Sequence, residues 1–140
     1  MVDIYVEYQG DLHCQAKHGP SSAVLVTDAP VDNHGRGESF SPTDLVATGL
    51  GTCMATVMGI AARKHGFALA GTRVHVKKKM TSAAPRRIAE LAVQITFPKT
   101  VTDSVGGARA ELEHEANQCP VRLSLLDAIA VPTHFDWQTE

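Results

Sequence analysis

The residues of this 140-residue chain with the most distinctive chemistry are three cysteines, Cys14, Cys53 and Cys119. A thiolate can attack an electrophile, ligate a metal or exchange with a disulfide, and each depends on what sets its pKa. Three widely spaced thiols cannot form a disulfide-stapled mini-domain, and an odd count points to a reducing compartment where at least one stays free. No C-x-x-C or H-E-x-x-H spacing occurs, so a metal site using His13, Cys14 or His18 has little support. Cys119 has the more informative neighbourhood. Pro120 suits the first position of a helix and makes Cys119 its cap, where unpaired N–H groups and the helix dipole favour a thiolate. Taken alone, Cys53 and Cys119 read as small buried hydrophobes, the commonest state of a free cysteine. Cys14 alternates in phase with Leu12 and Ala16 and is expected to face a core. His13, His18 and His34 could activate a thiol, although dispersed histidines are usually surface residues.

The elements that must position these thiols read as strands, a long helix, strands, a helix and a last strand. Ile4, Val6 and Tyr8 alternate with polar neighbours, as do Leu12, Cys14 and Ala16, with Gln9-Gly10-Asp11 as the turn of a hairpin. Ala23 to Val26 is a third strand ending at Asp28-Ala29-Pro30, and Val31 to Ser39 is a polar, glycine-punctuated loop. Ser41, Pro42 and Asp44 then supply a cap, a first helical residue and a capping-box acid. Val46, Leu50, Cys53, Val57 and Ile60 follow at helical spacing, up to the stop at Arg63-Lys64-His65-Gly66. Gly49, Gly51 and Gly59 each cost such a helix about 1 kcal/mol, so it must be central and closely packed. Val74 to Lys79 and Ile88 to Phe97 form two long strands, the second placing Ala89, Leu91, Val93, Ile95 and Phe97 on one side. Gly106 to Asn117 and Val121 to Ile129 read as helical, and Val131 to Trp137 as a closing strand.

Composition narrows the function further. With 44% hydrophobic and 20% charged residues, a single folded domain over residues 1–140 is expected. Thirteen basic against fifteen acidic residues leave a net charge of -2, and aromatics are only 5%, which argues against nucleic-acid and anionic-membrane partners. Lys77-Lys78-Lys79 with Arg86-Arg87 could make a phosphate-binding face, but in an acidic chain reads as the solvated side of a hairpin. The opening MVDIYVEYQG has no signal-peptide character, so a cytoplasmic protein is expected. Leu45 to Ala62 is uncharged and long enough to flag a membrane span, yet its Gly, Thr and Ala content suits a buried helix better.

S-P-T-D-L-V-A-T-G-L-G-T-C-M (Ser41 to Met54), followed by C-P-V (Cys119 to Val121) with the two cysteines 66 residues apart, resembles the OsmC/Ohr family of thiol peroxidases. His18 to Asn33 looks like one OsmC-like subgroup, so the resemblance spans nearly the whole chain. It implies an α+β fold in which long central helices are wrapped by antiparallel sheets, in an intertwined homodimer with active sites at the subunit interface. Cys53 would then be the peroxidatic thiolate, attacking a hydroperoxide to give a sulfenic acid, and Cys119 would resolve it as a disulfide reduced by an external thiol or dithiol. No cofactor or metal is implied. Met54 and Met58 are candidate walls of an apolar substrate pocket. In place of the family's usual glutamate, ten residues before the helix cysteine, stands Thr43, with the shorter Asp44 beside it. The first arginine is Arg36, which could stabilise the thiolate with Glu38 or Asp44 as partner. The resemblance also admits a non-catalytic module on the same fold, binding a small ligand or sensing redox state.

Overall fold

The alternation from Ile4 to Tyr8 does form a strand. In the computed structural model, which describes residues 1–139, β1 (Ile4–Gly10) pairs antiparallel with β2 (His13–His18), and β2 with β3 (Val24–Asp28). The hairpin turn sits one step later than its glycine suggests: Asp11 and Leu12 take the two positive φ angles, 51° and 59°, that match a tight turn to the strand twist. Leu12 is therefore a turn residue, and Cys14 remains in the strand, paired with Tyr8 and Thr27. The chain divides into two compact units, residues 1–46 and 47–140.

The boundary falls inside the long helix α1 (Pro42–Lys64). Its start is as the residue types require: the Ser41 backbone N–H donates to Asp44 Oδ2 (2.8 Å), and the Asp44 N–H donates to Ser41 Oγ (3.1 Å). From Ala47 onward, Leu50, Gly51, Met54, Met58, Ala61 and Ala62 line one buried face. By length and composition α1 could cross a membrane, but that face is part of the second unit's core.

The rest of that core comes from β4 (Arg73–Met80), β5 (Ile88–Phe97) and β6 (Thr133–Trp137), in the order β4-β5-β6. Three of the four described strand ladders are antiparallel; the β5–β6 ladder is parallel, since the chain crosses over through helices between them. Leu91, Val93, Ile95 and Phe97 are buried as their alternation predicts. Ile88 replaces the expected Ala89 because a bulge opposite Lys79 and Met80 shifts the register and flips the facing side chain. Gly51 brings α1 close to this sheet: a Cβ there would lie 3.0 Å from Val76 Cγ2 and 3.4 Å from Val74 Cγ1.

The crossover is α2 (Lys99–Val105), a single 3₁₀ turn at Gly106–Ala108, α3 (Arg109–Asn117) and α4 (Pro120–Ser124). The expected second long helix thus begins earlier and is broken, since Gly106 adopts φ +54°. The expected helix from Val121 to Ile129 is only the five residues of α4.

Candidate functional site

Within residues 47–140, two of the three thiols meet. Cys53 projects from the middle of α1, half-buried, and Cys119 caps α4, fully buried. Pro120 occupies the first helical turn, and the Arg122 backbone N–H donates to Cys119 Sγ at 3.3 Å, so the predicted cap is present. Its expected consequence is not. Burial pushes the Cys119 thiol above its ordinary pKa, outweighing the Arg122 N–H, and the neighbouring Cys53 pushes the same way. A cap of one turn offers little dipole against full desolvation. Cys119 therefore holds its proton beside Cys53, and all three cysteines are free thiols.

Met54 and Met58 lie on the buried side of the same helix, each 0% exposed, packed in the core with Leu50 and Leu91. The opposite side carries Thr52 and Thr56, whose hydroxyls are satisfied by the Thr48 and Thr52 carbonyls (both 2.8 Å), together with exposed Val46 and Ile60. A Cβ at Gly49 or Gly59 would meet nothing within 4 Å.

In residues 1–46, Arg36 lies in the loop after β3, its side chain 49% exposed. The ion pair described for it is with Asp28, 3.7 Å from its guanidinium, where Glu38 or Asp44 was expected. Asp44 serves the helix cap with Ser41. Asp28 is itself 2% exposed and accepts from His13 Nδ1 at 2.6 Å. That hydrogen bond, with the His13 and Arg36 charges and the Glu38 N–H, holds the Asp28 carboxyl below its usual range although burial opposes the shift. The loop is tight: Gly35 N–H donates to Pro30 O (3.0 Å) and Gly37 N–H to Ala29 O (3.2 Å). A Cβ on Gly35 would sit 1.7 Å from the Ala29 carbonyl oxygen, so only glycine fits.

The His13–Asp28 pair is absent from the sequence reading, which treats Asp28 only as a strand end. The signal exists, but only in register: pairing β2 with β3 sets His13 directly opposite Asp28 on one face.

The fold is α+β, with one thiol on the long helix and a second at the cap of a short one. The chain belongs to the OsmC-like protein family, whose model matches residues 35–134. It is 41% identical, with a TM-score of 0.87, to a candidate osmotic-stress-induced and detoxification-response protein from Psychrobacter arcticus 273-4, with 96% of each chain covered. Two more distant structures share the fold. An organic hydroperoxide resistance protein OsmC from Legionella pneumophila is 12% identical (TM-score 0.72, covering 97% of this chain and 96% of that one). An organic hydroperoxide resistance protein from Elizabethkingia anophelis is 16% identical (TM-score 0.72, covering 99% and 96%). No curated protein matches the chain.

Proposed function

We propose that this protein is a thiol peroxidase that reduces organic hydroperoxides, and hydrogen peroxide as a smaller substrate. Cys53 Sγ as thiolate attacks the terminal peroxide oxygen; the O–O bond breaks, the alkoxide leaves and takes a proton as alcohol, and Cys53 becomes a sulfenic acid. Cys119 then gives up its proton as its sulfur attacks Cys53, releasing water and closing a Cys53–Cys119 disulfide. Two electrons from an external thiol or dithiol reopen it.

The observation that carries this reading is the placing of the Cys53 thiol on α1 beside the buried Cys119 thiol at the cap of α4, whose pKa burial raises. A resolving thiol that stays protonated does not compete for peroxide, yet stands beside the sulfur it must attack. Arg36 would orient the peroxide, with Asp44 holding the start of the cysteine helix. Met54 and Met58, sealed in the core, are not free to wall a substrate pocket as expected. The working unit in this reading is a cytoplasmic homodimer without membrane or nucleic-acid partner. Its support is the unburied apolar surface: Ile4, Val6, Tyr8 and Leu25 share one exposed face of the first sheet, and Val46 and Ile60 stand exposed on α1.

The test is one equivalent of cumene hydroperoxide followed by disulfide mapping. The expected product is the Cys53–Cys119 disulfide; Cys53→Ser consumes no peroxide, and Cys119→Ser turns over once and stops at the sulfenic acid. Arg36→Ala slows the peroxide step. Unchanged thiols after peroxide, or equal turnover by Cys53→Ser, overturns the assignment in favour of a ligand-binding module.

A further inference from the structure

The second sheet has an outer face that the thiol chemistry does not use. The β4, β5 and β6 registers align His75, Gln94 and His134 in one row across the three strands, all exposed, with Lys77 one pleat along on β4 beside Ala92. An open groove of about 370 Å³ follows this row, lined by His75, Lys77, Ala92, Gln94, Thr133 and His134, with Val93 and Pro132 completing it. Strands stand about 4.8 Å apart, so the two histidines rise from backbones about 10 Å apart with Gln94 between them. That spacing leaves room for one tetrahedral oxyanion above Gln94.

The donors around the gap are of one kind. The Lys77 ammonium carries a fixed positive charge, both imidazoles and the Gln94 amide can each donate, and no carboxylate is among the described residues lining the groove. Ala92 keeps the floor low, since any longer side chain there would stand in the groove. Donors from three strands suit an acceptor-only group with several oxygens, and charge-assisted bonds of this sort are the stronger ones. The volume exceeds that of a bare oxyanion and falls at the small-ligand end of binding-site sizes. Ala92 and Pro132 offer apolar wall for a short organic remainder.

We propose that this groove is a binding site for a small phosphomonoester, with the phosphate held between His75 and His134 by Lys77. The basic run Lys77-Lys78-Lys79 then divides by function: Lys77 faces the groove, and Lys78 turns to the side of Val74 and Val76. This reading is independent of the peroxidase proposal.

The experiment follows the histidine Cε1–H resonances of the full chain by NMR, at fixed pH and ionic strength, with inorganic phosphate, glycerol 3-phosphate and glycerol as probes. His75 and His134 are expected to shift together and saturate in the millimolar range with both phosphate probes, while His65 and His114 stay still and glycerol does nothing. Lys77→Ala is expected to weaken phosphate binding about fivefold or more, its unchanged His65 signal reporting an intact fold. Inorganic phosphate binding as tightly as glycerol 3-phosphate would remove the organic remainder and overturn the phosphomonoester assignment. No saturable shift up to about 20 mM, equal shifts with chloride, or a wild-type titration in Lys77→Ala overturns the site altogether.

Discussion

The two sheets of this protein contrast in what they bury. In β4-β5-β6, Leu91, Val93, Ile95 and Phe97 are sealed in the core with Leu50, Met54 and Met58 of α1. In β1-β2-β3, Val6 is 65% exposed, and Ile4, Tyr8 and Leu25 on the same face are exposed too. Contiguous apolar surface of this kind on a sheet marks an interaction surface or an aggregation liability. The first region thus carries the sequence of a buried sheet without the burial. The lesson is that strands with similar apolar alternation can be sealed in a core in one sheet and stand exposed in the other.

The contrast can be broken at the core first. Leu50→Ala, at a position with 0% exposure, is expected to cost about 2–5 kcal/mol by urea unfolding. A loss below about 1 kcal/mol would mean this core is not closely packed. Next comes the loop after β3, where Gly35→Ala forces a Cβ against the Ala29 carbonyl. The expected loss is about 1–3 kcal/mol, with faster hydrogen exchange at the Gly35 and Gly37 amides. Exchange as slow as in the wild type would show that the loop absorbs the extra carbon.

A third measurement addresses the exposed face directly. If that sheet is uncovered in solution, Val6→Ser changes stability by no more than about 0.5 kcal/mol. On the dimer proposal it instead lowers Tm in a concentration-dependent way and shifts the sedimentation profile towards monomer. Unchanged sedimentation at micromolar protein would sink that proposal. The pH dependence is smaller and points to Asp28. Because its folded-state pKa is depressed, its contribution is present above the unfolded carboxylate value of about 3.9 and is lost as pH falls through the lower folded value. Asp28→Asn should flatten the acid limb of the stability curve below about pH 4, and an unchanged limb would leave the His13–Asp28 bond without weight. The smallest effect is expected at Gly49, where a methyl meets open space: Gly49→Ala should add up to about 1 kcal/mol to the helix, and a loss would mean that something docks there.

What could be read in advance divides by the range of the forces. The start of α1 was legible because Ser41, Pro42 and Asp44 act on one another within a single turn. The Cys119 cap was legible for the same reason, and so was the alternation of β5 from Leu91 onward. The family and its fold followed from the two cysteine motifs together. Three features stayed hidden because they depend on distant partners. The exchange of Ala89 for Ile88 comes from a bulge set by the facing strand. The His13–Asp28 bond needs β2 and β3 in register. The protonation of Cys119 is a balance between one local N–H and the burial that the whole second unit imposes.

The sulfur of Cys119 has two tasks, since it accepts the Arg122 amide that opens α4 and stands against Cys53. On the proposed cycle these tasks conflict: a sulfur drawn into a bond with Cys53 is a poorer and displaced acceptor. The first turn of α4 would then loosen on oxidation and tighten on reduction. The Arg122 amide becomes a built-in gauge, its solvent exchange reporting the oxidation state of the thiol pair without any probe attached to sulfur.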